Sequence, residues 1–167
     1  MLHMYIVSGP PACGKSSWIR KCIERDGGIH ISRDTIRFSM LGEDDEYFAK
    51  EDEVITEFLR QIQEQLDLKE QDIYVDATNL NKYSRAKLYN KLNVNNEYTV
   101  VYVGFTTPLS ICLERNKNRT GREFVPESVI RRMWYQRDEV YEDMNDNDFI
   151  VFEVNSEGDI THVHSKV

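Results

Sequence analysis

The octet Gly9-Pro10-Pro11-Ala12-Cys13-Gly14-Lys15-Ser16 fits G-x-x-x-x-G-K-[ST] without a mismatch. It constrains the fold because such a loop works only between a buried strand and a helix. The apolar run Met4-Tyr5-Ile6-Val7 ahead of it predicts the strand, and Ser17 to Glu24 behind it predicts the helix. So placed, the loop aims backbone N–H groups and a helix N-terminus at one point, surrounding a polyphosphate with donors and the positive end of a dipole. Gly9 and Gly14 supply the backbone freedom, Lys15 is placed to neutralise charge at the β/γ-phosphates, and the Ser16 hydroxyl to hold Mg²⁺.

A chain of 167 residues with 40% hydrophobic content suits one domain with a sizeable core, and no second domain is expected. No signal-peptide pattern and no apolar run of membrane-spanning length occurs, so the expected location is the cytoplasm, with no membrane partner. Cys13, Cys22 and Cys112 are odd in number and lack paired metal spacing, which predicts free thiols. Cys13, inside the phosphate loop, reads as a spacer, with oxidation sensitivity as the alternative.

The formal charge of −8 argues against a nucleic-acid partner until its distribution is considered. Glu43 to Glu53 holds seven acids and one lysine, a net of −6, which leaves −2 for the rest of the chain. Ile111 to Arg137 holds seven basic and three acidic residues, a net of +4. This division suits a local site for phosphates and excludes a long duplex-binding groove; the acidic stretch itself reads as a solvated helix start.

Apolar runs at Met4 to Val7, Gly28 to Ile31, Ile73 to Val75, Tyr98 to Phe105 and Phe149 to Val154 alternate with helical patterns. That alternation predicts an α/β domain with a mostly parallel central sheet. Tyr47 to Leu68 reads as an amphipathic helix with Val54, Ile55, Phe58, Leu59, Ile62 and Leu66 as its core stripe. Further helices are predicted at Thr35 to Met40, Lys82 to Leu92, Pro108 to Lys117 and Pro126 to Tyr141, with Asn93 to Glu97 as a polar connection.

Three strand-end or loop segments carry candidate chemistry. After the second strand comes Ser32-Arg33-Asp34-Thr35-Ile36-Arg37, on the same rim as the phosphate loop. Asp34 is placed to accept a proton from an acceptor hydroxyl and Arg37, about one turn on, to bind an anionic group; a helix cap is the plainer role for Asp34. Asp76, closing the third strand before Ala77-Thr78-Asn79, stands where an acid supports Mg²⁺ directly or through water, and Asn79 is placed to orient a neighbour. Arg115, Arg119 and Arg122 surround a Gly-containing segment that reads as a lid, with a solvated helix end the plainer reading for Arg122.

Gly-Lys-Ser-Ser-Trp at 14–18, Arg-Asp-x-x-Arg at 33–37, Thr-Asn-Leu-Asn at 78–81, Arg-Asn-x-x-Arg at 115–119 and Val-Pro at 125–126, in this order, resemble the kinase domain of T-even phage-type polynucleotide 5′-kinases, within the P-loop kinases. The resemblance runs from Gly9 to about Tyr141 and implies a three-layer P-loop NTPase fold with an arginine-bearing lid at about 115–125. It implies ATP or another NTP as donor with Mg²⁺, and the 5′-hydroxyl end of DNA or RNA as acceptor. Lys15, Asp34 and Arg119 would be catalytic, Asp34 as general base and Arg119 as phosphate clamp. Gly9, Pro10, Pro11, Ala12, Cys13, Gly14, Lys15, Ser16, Ser17, Arg115 and Arg119 would hold ATP. Asp34, Arg37, Arg33 and Val125 would hold the acceptor, Arg37 at its 3′-phosphate, and Ser16 and Asp76 the metal. The Asp-x-Asp-Gly-Thr motif of the family's phosphatase half does not occur, so 3′-phosphatase activity is not expected, and Asp76 lies one residue further from Thr-Asn than in the family. A kinase of a small hydroxylated metabolite, nucleotide sugar or antibiotic, a non-catalytic nucleotide-dependent switch and an NTP hydrolase stand as alternatives.

Overall fold

The computed structural model describes residues 1–137 and 150–165. Its strands are β1 (Leu2–Ser8), β2 (Ile29–Ser32), β3 (Ile73–Asp76), β4 (Tyr98–Phe105), β5 (Ile150–Val154) and β6 (Ile160–His164). They form one sheet in the order β2-β3-β1-β4-β5-β6, parallel from β2 to β5 and antiparallel only at β6. Its helices are α1 (Lys15–Asp26), α2 (Arg33–Met40), α3 (Glu51–Leu68), α4 (Lys82–Asn90), α5 (Leu109–Lys117) and α6 (Glu127–Gln136).

Period-2 alternation along β1 builds the layers. Met4 and Ile6 point into a core completed by Val54, Phe58, Ile62 and Leu66 of α3 and Leu88 of α4. Val7 points to the opposite face, where Trp18, Ile19, Cys112 and Ile130 bring in α1, α5 and α6. Because helices cover both faces, β3 is buried at all four positions, as expected of an inner parallel strand. The sheet is thus the middle of three layers, the architecture the sequence predicted.

Among the differences from the sequence reading are two helix starts and one strand. Helix α2 begins at Arg33 rather than Thr35 because the Ser32 hydroxyl accepts from the Thr35 N–H at 3.2 Å. Helix α3 begins at Glu51, and Tyr47 to Lys50 form a turn outside it. Strand β6 was not anticipated: four of its five residues are exposed, so it lacks a half-buried alternation. Predicted positions 138–141 of the last helix, and Phe149, lie outside the described residues.

Parallel pairing brings the strand ends to one rim. Val7 of β1 is level with Asp76 of β3, and Ser32 of β2 is level with that same Asp76. The chain leaving β1 enters the phosphate loop, the chain leaving β2 enters α2, and the candidate site is assembled there.

Candidate active site

The phosphate loop folds as a cradle through two glycines. Gly14 adopts φ 107°, closed to an L side chain without strain, and its Cβ would come 3.2 Å from Arg115 Nη1. A Cβ on Gly9 would meet the Cys13 sulfur at 2.5 Å. Gly14 is also the N-terminal flank of α1 and supplies no side-chain cap, so the first-turn N–H groups of this 12-residue helix face the loop. Lys15 Nζ donates to the Gly9 and Pro10 carbonyls at 2.8 and 2.9 Å, holding its charge inside the loop. Cys13 lies beneath, 1% exposed, and burial pushes its thiol up from the ordinary range, so it is a protonated packing group. Pro11 and Ala12 complete the loop, and Ser17 starts the exposed face of α1, where its hydroxyl accepts from Arg20.

A magnesium subsite fits beside it. The Ser16 hydroxyl donates to Asp76 Oδ2 at 2.7 Å, and His30 Nε2 lies 2.8 Å from the same oxygen. Burial would raise the Asp76 carboxyl, but the His30 hydrogen bond, the Lys15 charge and the Ser16 hydroxyl outweigh it and hold it below the usual carboxylate value. An ionised carboxylate next to a hydroxyl is the oxygen set Mg²⁺ takes when phosphates and water complete its octahedron. No group of three or more His, Cys, Asp or Glu forms a separate metal cage among the described residues.

The loop and the β3 end are tied from below. Asn79, at φ 41°, donates from Nδ2 to the Val7 carbonyl at 3.0 Å. The Ser8 hydroxyl donates to the Asn79 carbonyl at 2.6 Å, and fully buried Arg85 donates to both Ser8 Oγ and the Asn79 carbonyl. The neighbour that Asn79 orients is therefore backbone.

At the start of α2 the cap goes to Ser32, so the Asp34 carboxylate, 57% exposed, is left for other partners. Oδ1 accepts from Arg37 Nη1 and from the Tyr47 hydroxyl, the latter at 2.5 Å; Oδ2 has no partner among the described residues. Arg37 is 3% exposed and all three of its nitrogens are engaged: Nε and Nη2 with Glu51, Nη1 with Asp34 and the Tyr47 oxygen. Burial would raise the Glu51 carboxyl, but Arg37 and Arg33 outweigh it and hold it below its ordinary value. Arg33, with a 31% exposed side chain, gives Nη2 to Glu51 at 2.6 Å, while its buried Nε has no partner among the described residues.

The three arginines between 115 and 122 divide. Arg115 turns inward, to the Cys13 carbonyl at 3.2 Å and to the Ser156 carbonyl. Arg119 donates to the Glu123 carbonyl of its own segment at 3.3 Å. Arg122 corrects the solvated reading: it is half-buried and donates to the Gly42 and Glu43 carbonyls, tying its segment to the acidic loop. Asn116 holds Val125 from both sides, Nδ2 to the carbonyl at 2.7 Å and Oδ1 from the N–H at 3.1 Å.

The rim therefore gathers Lys15, Ser16 and Asp76 around one point and Asp34, Arg37 and Arg33 around a second. His30, Tyr47, Glu51, Arg85 and Asn116 were missed. Asn116 sits inside the 115–119 motif and was within reach; the others carry no local signal, since each acts through a partner at least four residues away in sequence.

Residues 4–141 match the family described as AAA domain. No curated protein matches the chain in sequence. Among solved structures, a gluconokinase from Sinorhizobium meliloti 1021 is 21% identical with a TM-score of 0.59, over 92% of this chain and 82% of that one. A chain in the Pnkp1/Rnl/Hen1 RNA repair complex is 22% identical with a TM-score of 0.69, over 89% of this chain and 47% of that one. A sugar kinase from Janibacter sp. HTCC2649 is 15% identical with a TM-score of 0.61, over 94% of this chain and 87% of that one. At these identities the likeness is one of fold.

Proposed function

We propose, on the premise that this chain belongs to the AAA-domain family, that it transfers the γ-phosphoryl group of ATP to the 5′-hydroxyl of a polynucleotide or nucleoside 3′-phosphate. In this reading residues 1–167 form one kinase domain with a lid over about 115–125. The observation that carries it is Asp34: an exposed carboxylate, relieved of capping by Ser32, whose Oδ2 faces no described partner on the rim shared with Lys15.

Asp34 Oδ2 accepts the proton of the acceptor hydroxyl as its oxygen bonds to the γ-phosphorus; the bond from that phosphorus to the β,γ-bridging oxygen breaks and ADP leaves. Lys15 and the first-turn N–H groups of α1 stabilise the charge that builds on the phosphates, and Arg119 closes over it from the lid. Ser16 and Asp76, directly or through water, would hold Mg²⁺, which would supply charge neutralisation when bound. Arg37 is fully committed within the protein, so its part is to fix Asp34 and add positive field, while Arg33 retains donors for an acceptor phosphate. Val125, held in place by Asn116, supplies an apolar contact.

A polynucleotide acceptor is supported by the order of the motifs and by the fold relative from an RNA repair complex. A second reading, a small hydroxylated acceptor, is favoured by the gluconokinase and sugar kinase relatives. Transfer of γ-labelled phosphate to a nucleoside 3′-monophosphate, the plain nucleoside and gluconate decides between them. The nucleoside 3′-monophosphate is expected to be the better acceptor by about tenfold or more, since a charge-assisted hydrogen bond contributes about 1.5–3 kcal/mol. Arg33→Ala should shrink that gap; Arg37→Ala is the poorer probe because it removes the main partner of Glu51 and releases Asp34. Equal use of nucleoside and nucleotide, or preference for gluconate, moves the assignment to the small acceptor.

A further inference from the structure

We propose that Tyr47 is the positioning residue of the general base, holding the Asp34 carboxylate so that Oδ2 is presented to the acceptor hydroxyl; this rests on the reading of Asp34 as that base. The Tyr47 hydroxyl bridges the pair, donating to Asp34 Oδ1 at 2.5 Å and accepting from Arg37 Nη1 at 2.7 Å. Its ring lies over the Arg37 guanidinium, 4.2 Å from carbon to ring centroid, and is braced edge-on by Phe48 at 4.7 Å and Phe38 at 6.2 Å. The phenol is therefore located by two ring contacts independent of Asp34 and by Arg37, and it fixes the carboxylate rather than following it.

The geometry gives each carboxylate oxygen its own task. Oδ1 is taken by two donors, one cationic and one neutral, while Oδ2 has no hydrogen-bond partner among the described residues. An exposed aspartate with Arg37 alone could still rotate about χ2 and exchange its oxygens, because that terminal torsion is broad and roughly two-fold. A second donor from a different direction removes the exchange. Pre-organisation of this kind acts on turnover rather than on binding, since the phenol acts through the carboxylate. Burial and the Asp34 charge also push the phenol well above its ordinary titration range, so it remains a donor at any working pH.

The experiment is a double-mutant cycle on phosphoryl transfer with Tyr47→Phe, Asp34→Asn and the pair, reading kcat, acceptor KM and thermal midpoint. Tyr47→Phe keeps the ring on Arg37 and should lower kcat by about tenfold with acceptor KM within about twofold and the midpoint nearly unchanged. Asp34→Asn should lower kcat by about a hundredfold or more, and adding Tyr47→Phe to it should cost less than about twofold further, because the phenol acts through the carboxylate. Unchanged turnover in Tyr47→Phe overturns the proposal, as does faster turnover, which would make the phenol a plug in the acceptor site. Losses that multiply in the double variant overturn it too. If Asp34→Asn itself retains full turnover, the base assignment falls and Tyr47 falls with it, a result distinct from failure of Tyr47→Phe alone.

Discussion

Ser32 and Asp34 are two candidates for one vacancy, the N-terminus of α2. The serine fills it: its hydroxyl accepts from the Thr35 N–H, and the aspartate is released to Arg37 and Tyr47. Ser32→Ala should therefore destabilise the fold by about 1 kcal/mol in urea unfolding. Turnover should fall as well, because Asp34 becomes the nearest replacement cap and leaves its partners; loss of stability with normal turnover would show that Asp34 stays in place without Ser32. At this scale the sequence is readable where residue type and spacing suffice, as at Gly14, Lys15 and Ser16, whose roles depend on backbone that the motif itself creates. His30 was invisible because its partner, Asp76, lies 46 residues away and is brought to it by parallel pairing of β2 with β3. Tyr47 was hidden differently: it stands where an aromatic extends the apolar stripe of α3, and the Asp34–Arg37 pair instead holds it in a turn.

Helices α2 and α3 are joined by Glu51, the first residue of α3, which fills the fork of Arg37 and reaches Arg33. Removing the carboxylate leaves Arg37, 3% exposed, with only Asp34 as counter-charge, and Glu51→Gln should cost on the order of 3 kcal/mol at pH 7. The pH dependence has a definite sign. Glu51 is held below its ordinary value in the fold, so its contribution is complete above the unfolded value of about 4.3 and is lost as pH falls through the folded one. Unfolding free energies at pH 7 and in steps below pH 4 should therefore converge for Glu51→Gln and the parent chain; a gap constant with pH would mean the glutamate acts by packing alone. Elements with a strong period were legible: β4 from Tyr98 to Phe105 has the predicted bounds because seven of its eight positions are buried. The start of α3 was not, since acids at 51–53 favour a helix start while nothing local says that Tyr47 has been claimed elsewhere.

Across the whole molecule, acids cluster in the loop and the start of α3, and arginines in the lid, with Arg122 spanning the two. A chain of net charge −8 carrying this local basic site should engage only two or three acceptor phosphates, so the logarithm of acceptor affinity against that of salt should slope no more steeply than about −2. Isothermal titrations with single-stranded oligonucleotides at several salt concentrations measure this, and a slope of −5 would reveal a longer basic track. The layered order of the domain followed from the alternation of strands and helices, whereas the crossing of Arg122 to the 42–43 turn joins segments 80 residues apart and has no signature in either.

Cys13 sits under the phosphate loop with its sulfur pressed against Gly9 and its thiol kept neutral by burial. Cys22 and Cys112 are buried too, so the closed protein offers electrophiles no ready target. Alkylation of Cys13 then requires the loop to open, and its rate is a clock for that opening. A nucleotide that braces the loop should slow the clock, which gives this chain an internal reporter of donor occupancy that needs no turnover at all.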